Sequence, residues 1–131
     1  MALSRDLDRA YRTSRYSVAG LDLTVGRRSG ALDGLLSGLG AREAVLMTAW
    51  NPASHRCPAN VNNRRMAALR SRLGDTPALP AHSESAHGTW GEDQLLVVGD
   101  RRRLRVLARI FGQAAMLGLR RGQDVRLLPL V

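Results

Sequence analysis

Apolar positions change their spacing several times along the chain, and each spacing predicts a different element. Over residues 3–12, Leu3, Leu7, Ala10 and Tyr11 share one side of a short helix whose other side carries Arg5, Arg9 and Arg12. Residues 18–25 alternate, with Leu21, Leu23 and Val25 facing one way and Asp22 and Thr24 the other, as in a half-buried strand. After a turn at Gly26–Gly30, Leu32, Leu35, Leu36 and Leu39 recur at helical spacing. Gly34 and Gly38 each weaken that helix by about 1 kcal/mol relative to alanine.

The second half of the chain is more sharply patterned. Residues 43–50, EAVLMTAW, are apolar on both faces and predict a central strand. A helix over 59–73 follows, with Pro58 suited to its first turn and Gly74 to its end. Its inward stripe is Asn62, Met66, Leu69 and Leu73, so an asparagine heads an otherwise apolar face. Residues 75–93 hold at most a short strand near 77–83 before a loop, and 94-QLLVV-98 is a strand. Asp100 caps a helix over 101–111, with Leu104, Leu107, Ala108 and Phe111 inward. A strand over 114–119, a turn at 120–123 and a last strand over 124–130 complete the chain, Pro129 marking an edge.

This order predicts an α+β fold: a ferredoxin-like antiparallel sheet with helices on one face, plus an N-terminal strand-helix extension and a C-terminal edge strand. The topology gathers Trp50, Asn51, Asn62, the 82–93 loop and Gln113 at one end of the sheet.

Length and composition refine this picture. The 131 residues suit one domain over 1–131, too short for two independent cores. With no run of eighteen apolar residues, and no uncharged apolar core in MALSRDLDRAYRTSRY, a soluble cytoplasmic protein without membrane contact is expected. The single cysteine, Cys57, has no internal disulfide partner. The net charge of +9 points toward nucleic acid, yet all 20 basic residues are arginine, the signature of a GC-rich genome. Asparagine codons are as AT-rich as lysine codons, but Asn51, Asn60, Asn62 and Asn63 survive within one short stretch. The cluster implies a physical role.

The stretch 48-TAWNPASHRC-57 breaks the central strand at its apolar end. Asn51-Pro52 turns a chain sharply, and Ser54 suits such a turn. Asn62 and Gln113 are amides, Arg65 is a forked donor, and Glu92 is an acceptor able to orient Arg65 or act as a base. With Asn51, these side chains either read a small polar or phosphate-bearing ligand at the start of the 59–73 helix, or bond one another as a buried network. Trp50 and Trp90 either stack on a ligand ring or belong to the core. His55, Cys57, His82 and His87 are permissible zinc ligands, but H-x-C and H-x4-H are not zinc spacings, and no base or oxyanion hole accompanies Cys57 as a nucleophile. Neither a metal nor a cofactor is expected.

Four short motifs carry a resemblance. TAWNP-x-S at 48–54, Asn62 with Arg65 and Leu69, W-x-E at Trp90 and Glu92, and FGQ-x-A at 111–115 resemble a small bacterial family known only as a domain of unknown function. The likeness covers residues 43–120 or so. The family pattern has Glu-Asn where this chain has Val61-Asn62, and Phe-Gly-Gln-Asn where Ala114 follows Gln113. A catalytic carboxylate at the first position, if the family uses one, is absent here. The resemblance implies a fold unit and a polar site, with no activity attached. Three readings follow: a domain binding a small polar ligand, an accessory protein binding RNA or DNA through its arginine faces, and a protein-interaction module whose motifs are structural.

Overall fold

A computed structural model describes residues 3–130. Its elements run α1 (Arg5–Thr13), β1 (Arg15–Val18), β2 (Leu21–Leu23), α2 (Gly30–Gly38), β3 (Glu43–Met47), a 3-10 turn (Pro52–Ser54), α3 (Ala59–Leu73), β4 (Ala78–Glu84), β5 (Gly91–Val98), α4 (Arg101–Ile110), β6 (Ala115–Arg120) and β7 (Arg126–Pro129). The fold is α+β. Its strands form one seven-stranded sheet in the order β2-β1-β4-β5-β3-β6-β7, antiparallel throughout and curled into a half-barrel. Among the described residues, no helix is long and apolar enough to cross a membrane.

Local chemistry explains the helix boundaries. The Ser4, Ser29 and Asp100 side chains accept backbone N–H bonds at the starts of α1, α2 and α4, meeting donors that a helix leaves unpaired. The α3 stripe Asn62, Met66, Leu69 and Leu73 is buried along its full length.

The expected arrangement with helices on one face is corrected, because the sheet carries a core on each side. Val45, Met47, Leu95, Val97 and Met116 pack with Met66, Leu69 and Leu73 of α3 and with Leu104 and Ala108 of α4. On the other face Ala44, Leu46, Leu96, Leu117 and Leu119 pack with Leu32 and Leu36 of α2 and with Tyr16, Val18 and Leu23 of the N-terminal hairpin. The continuous burial of β3, β5 and β6 follows from this double cover.

The N-terminal extension is also rearranged. Residues 18–25 are not one strand: the chain folds back at Ala19 and Gly20, both with positive φ (50° and 77°), so that Tyr16 faces Leu23 in a β1–β2 hairpin. The middle of the sheet is longer than its sequence suggests, since β4 and β5 pair from Ala78↔Val97 to Glu84↔Gly91. Glu92 therefore lies on a strand, and His82 on its neighbour.

Candidate functional site

Strand β3 ends where its apolar run meets Thr48. The Thr48 hydroxyl donates to the Asp93 carbonyl at 2.6 Å and accepts the Trp50 N–H at 3.0 Å, which steers the chain out of the sheet. Asn51, Ala53 and Ser54 then adopt left-handed backbone angles, with φ of 47°, 53° and 61°. Such angles are uncommon outside glycine and persist only where surrounding structure imposes them. Here the Ala53 N–H donates to the Gly112 carbonyl at 2.8 Å, docking the turn against the end of α4. This compact reversal is the structural work of the Trp-Asn-Pro break.

A buried amide pair fixes the turn to α3. Asn62 is 2% exposed and Asn51 5% exposed, so any polar group left unpaired here would be costly. The Asn51 N–H donates to Asn62 Oδ1 and Asn62 Nδ2 donates to Asn51 Oδ1, each at 3.0 Å. Asn51 Oδ1 also accepts the Cys57 N–H at 2.8 Å, and Asn62 Nδ2 reaches the Cys57 carbonyl at 3.2 Å. Arg65, one turn further along α3, donates from Nε to the Ala49 carbonyl at 2.6 Å and from its guanidinium to the Phe111 carbonyl. Gln113 Nε2 donates to the Trp50 carbonyl at 3.0 Å and the Phe111 carbonyl at 3.3 Å. Three separated loops are thereby joined through side-chain bonds to backbone.

On the α2 side of the sheet, Asn51 and Gln113 of this network border a cleft of about 310 Å³. Its floor follows from strand register: Tyr16 on β1, Ser83 on β4 and Glu92 on β5 stand opposite one another across adjacent strands. Leu7, Ala10 and Tyr11 of α1 form one wall, and Asn51, Ser54, Trp90, Gln94 and Gln113 complete the rim. Asn51 Nδ2 donates to Glu92 Oε2 at 2.8 Å, linking the buried amides to the carboxylate. Burial raises the Glu92 pKa above its ordinary value, an effect partly offset by hydrogen bonds from Asn51 and Trp90. Burial, reinforced by the nearby Glu92 charge, pushes the Tyr11 phenol up to about 12. Its hydroxyl is neutral near pH 7.

Of the residues singled out in the sequence, Trp50, Asn51, Asn62, Arg65, Glu92 and Gln113 share one connected cluster, but not one ligand surface. Asn51, Glu92, Gln113 and Trp90 border the cleft, whereas Asn62 and Arg65 lie on the α3 side as braces. The expected Glu92–Arg65 pairing does not form, because the bonds of Arg65 run to backbone carbonyls and Glu92 meets Asn51. Trp50 packs beside the α3–α4 core, its Nε1 buried without a hydrogen-bond partner among the described residues. Trp90 carries the Arg56 guanidinium 4.5 Å above its ring. His82 lies beside Glu84 and Asp93, and no group of three or more His, Cys, Asp or Glu side chains among the described residues is arranged to hold a metal ion.

Sequence reading did not include Tyr11, Tyr16, Ser83 and Gln94 in the site. Tyr11 did stand out on the apolar side of α1, whereas in the sequence Gln94 reads only as part of the strand 94–98. Only the pairing of β1 with β4 shows that the N-terminal segment reaches the site.

The arginines are spread over local contacts rather than one groove. Arg120 pairs with Glu43 at 2.9 Å, Arg28 with Asp33 at 3.1 Å, and Arg15 with Glu84 at 3.2 Å. A larger hollow, about 570 Å³, lies at the opposite end of β3 and is lined only by the polar residues Arg42, Glu43, Arg120, Arg121 and Gln123.

No curated protein and no solved structure matches this chain. Residues 47–116 match the family described as "Protein of unknown function (DUF3293)". That segment runs from the last residue of β3 into β6, and so contains the strained turn, the buried amide pair, Arg65, Glu92 and Gln113. The match spans more than half of the chain, which belongs to this family of unknown function.

Proposed function

We propose that this domain binds a small polar ligand in the cleft between α1 and the β1–β4–β5 floor. The observation that carries this reading is one partly buried carboxylate, Glu92, held by Asn51 within a cleft of about 310 Å³ that also presents apolar and aromatic walls. Small-molecule sites characteristically combine such walls with a few oriented polar groups, in volumes of roughly 300–1,000 Å³. The left-handed turn supports the same reading, because it places both Asn51 and Ser54 at the rim. Among the described residues no basic side chain lines the cleft, so a phosphate-bearing ligand is the poorer fit.

The arms of the test follow from the geometry. A panel of water-soluble fragments is screened by ligand-observed NMR against the protein and against Ala10→Trp, which extends a bulky side chain over the cleft from the exposed side of α1. Fragments that bind the first and not the second support the reading. Fragments bound equally by both proteins, or no bound fragment at all, overturn it.

A further inference from the structure

The cleft differs from the rest of the molecule in charge. The chain carries 20 arginines and a net charge of +9, yet among the described residues Glu92 is the only charged side chain that lines the cleft. Aromatic residues are equally concentrated there. The sequence has two tryptophans, two tyrosines and one phenylalanine, and Tyr11, Tyr16 and Trp90 all border this one space.

Hydrogen-bond polarity adds an independent constraint. The donors of the rim amides are directed into the protein: Gln113 Nε2 to the Trp50 and Phe111 carbonyls, Gln94 Nε2 to Ser83 Oγ, and Asn51 Nδ2 to Glu92. Asn51 Oδ1 is likewise occupied, by the Cys57 N–H and Asn62 Nδ2. The Glu92 carboxylate, with lone pairs beyond the one that meets Asn51, is the strongest acceptor in the lining. A ligand that donates hydrogen bonds and carries positive charge complements that carboxylate.

Resting on the cleft reading, we propose that the ligand is a small organic cation, an alkylammonium group seated beside Glu92 and against the rings of Tyr11 and Tyr16, Trp90 bordering the cleft with one ring face already covered by Arg56. Ring faces are negative at their centres and attract such a cation, most strongly where water is excluded. Because the Tyr11 phenol stays neutral, one carboxylate sets the charge of the site. Binding of the cation favours ionised Glu92 and opposes the effect of its burial.

Benzylammonium, benzyl alcohol and benzoate separate charge from shape. Each is titrated into ¹⁵N-labelled protein while the Trp90 indole and the Gln113 side-chain amide are followed. The proposal expects benzylammonium to bind about tenfold or more tightly than benzyl alcohol, in line with one desolvated carboxylate and cation–π contacts. Benzoate should bind most weakly. In Glu92→Gln the ammonium preference should disappear while the weak alcohol binding persists, showing that the cleft is still formed. Equal binding of alcohol and ammonium, or a preference for benzoate, overturns the cation assignment and leaves the cleft as a binding site. If none of the three shifts Trp90 or Gln113, both the assignment and the cleft reading fall.

Discussion

Asn51 Nδ2 lies 2.8 Å from Glu92 Oε2, and through this contact the turn that follows β3 holds the carboxylate of the neighbouring strand. The same Asn51 accepts two bonds at Oδ1 from the α3 side, so its orientation is fixed before it reaches Glu92. A buried framework and an open cleft thus share one residue. Residues of the framework should govern stability, and those of the cleft should govern binding.

Asn62→Ala tests the framework. It leaves the buried Asn51 N–H without a partner and removes one of the two donors to Asn51 Oδ1, and a loss of about 2–3 kcal/mol in denaturant unfolding is expected. Asn63→Ala, one position along on the exposed side of α3, should stay within about 0.5 kcal/mol of the parent. Similar losses for both would contradict the network.

The turn gives a pair of opposite expectations. Gly112 has φ of 70°, and a Cβ there would stand 3.0 Å from Pro52 Cβ. Gly112→Ala should therefore lose about 1–2 kcal/mol in thermal unfolding, the scale of a left-handed alanine. Ala53→Gly relieves a φ of 53° in the same turn and should cost no stability.

Glu92→Gln should alter the pH dependence of stability in a defined direction. Since burial raises the folded-state pKa, the protonated form is favoured in the folded protein. The stability this contributes is complete below the ordinary glutamate value of 4.5 and is lost as pH rises through the raised one. Relative to Glu92→Gln, the parent should become less stable as pH rises through that window, measured by urea unfolding at a series of pH values. A constant difference, or a parent that gains stability with pH, would contradict the assignment.

Helix α1 should be the first wall of the cleft to open. None of its residues is fully buried, Tyr11 being partly so, and its tie to the sheet includes the Tyr16 hydroxyl donating to the Tyr11 carbonyl at 2.8 Å. Its amides should exchange with deuterium well before those of β3 and β5, and a fragment bound in the cleft should slow them.

Much of this was legible in the sequence. The helix predicted over 59–73 forms with those limits, because Pro58, Gly74 and a clean apolar stripe all agree. The convergence of Asn51, Asn62 and Gln113 followed from the order of strands and helices. The double-faced core was foreshadowed by EAVLM, apolar on both faces, but nothing in that run says which elements cover it. The β1–β2 hairpin was missed because its Ala19-Gly20 turn lacks an asparagine or aspartate signal, and the alternation of Leu21 to Val25 masks the reversal. The codon argument for the asparagine cluster selects two buried residues, Asn51 and Asn62, and two exposed ones, Asn60 and Asn63, so composition alone does not separate framework from surface. Nor does local pattern show that α1, far away in sequence, walls the site.

The most direct test is a crystal structure of the protein soaked with fragments selected by NMR. The cleft account predicts density between α1 and the β4–β5 floor, touching Glu92 and Gln113, with the Asn51–Asn62 pair unmoved. Fragments gathered instead at the arginine-rich hollow around Glu43 and Arg120, with nothing beside Glu92, would contradict it.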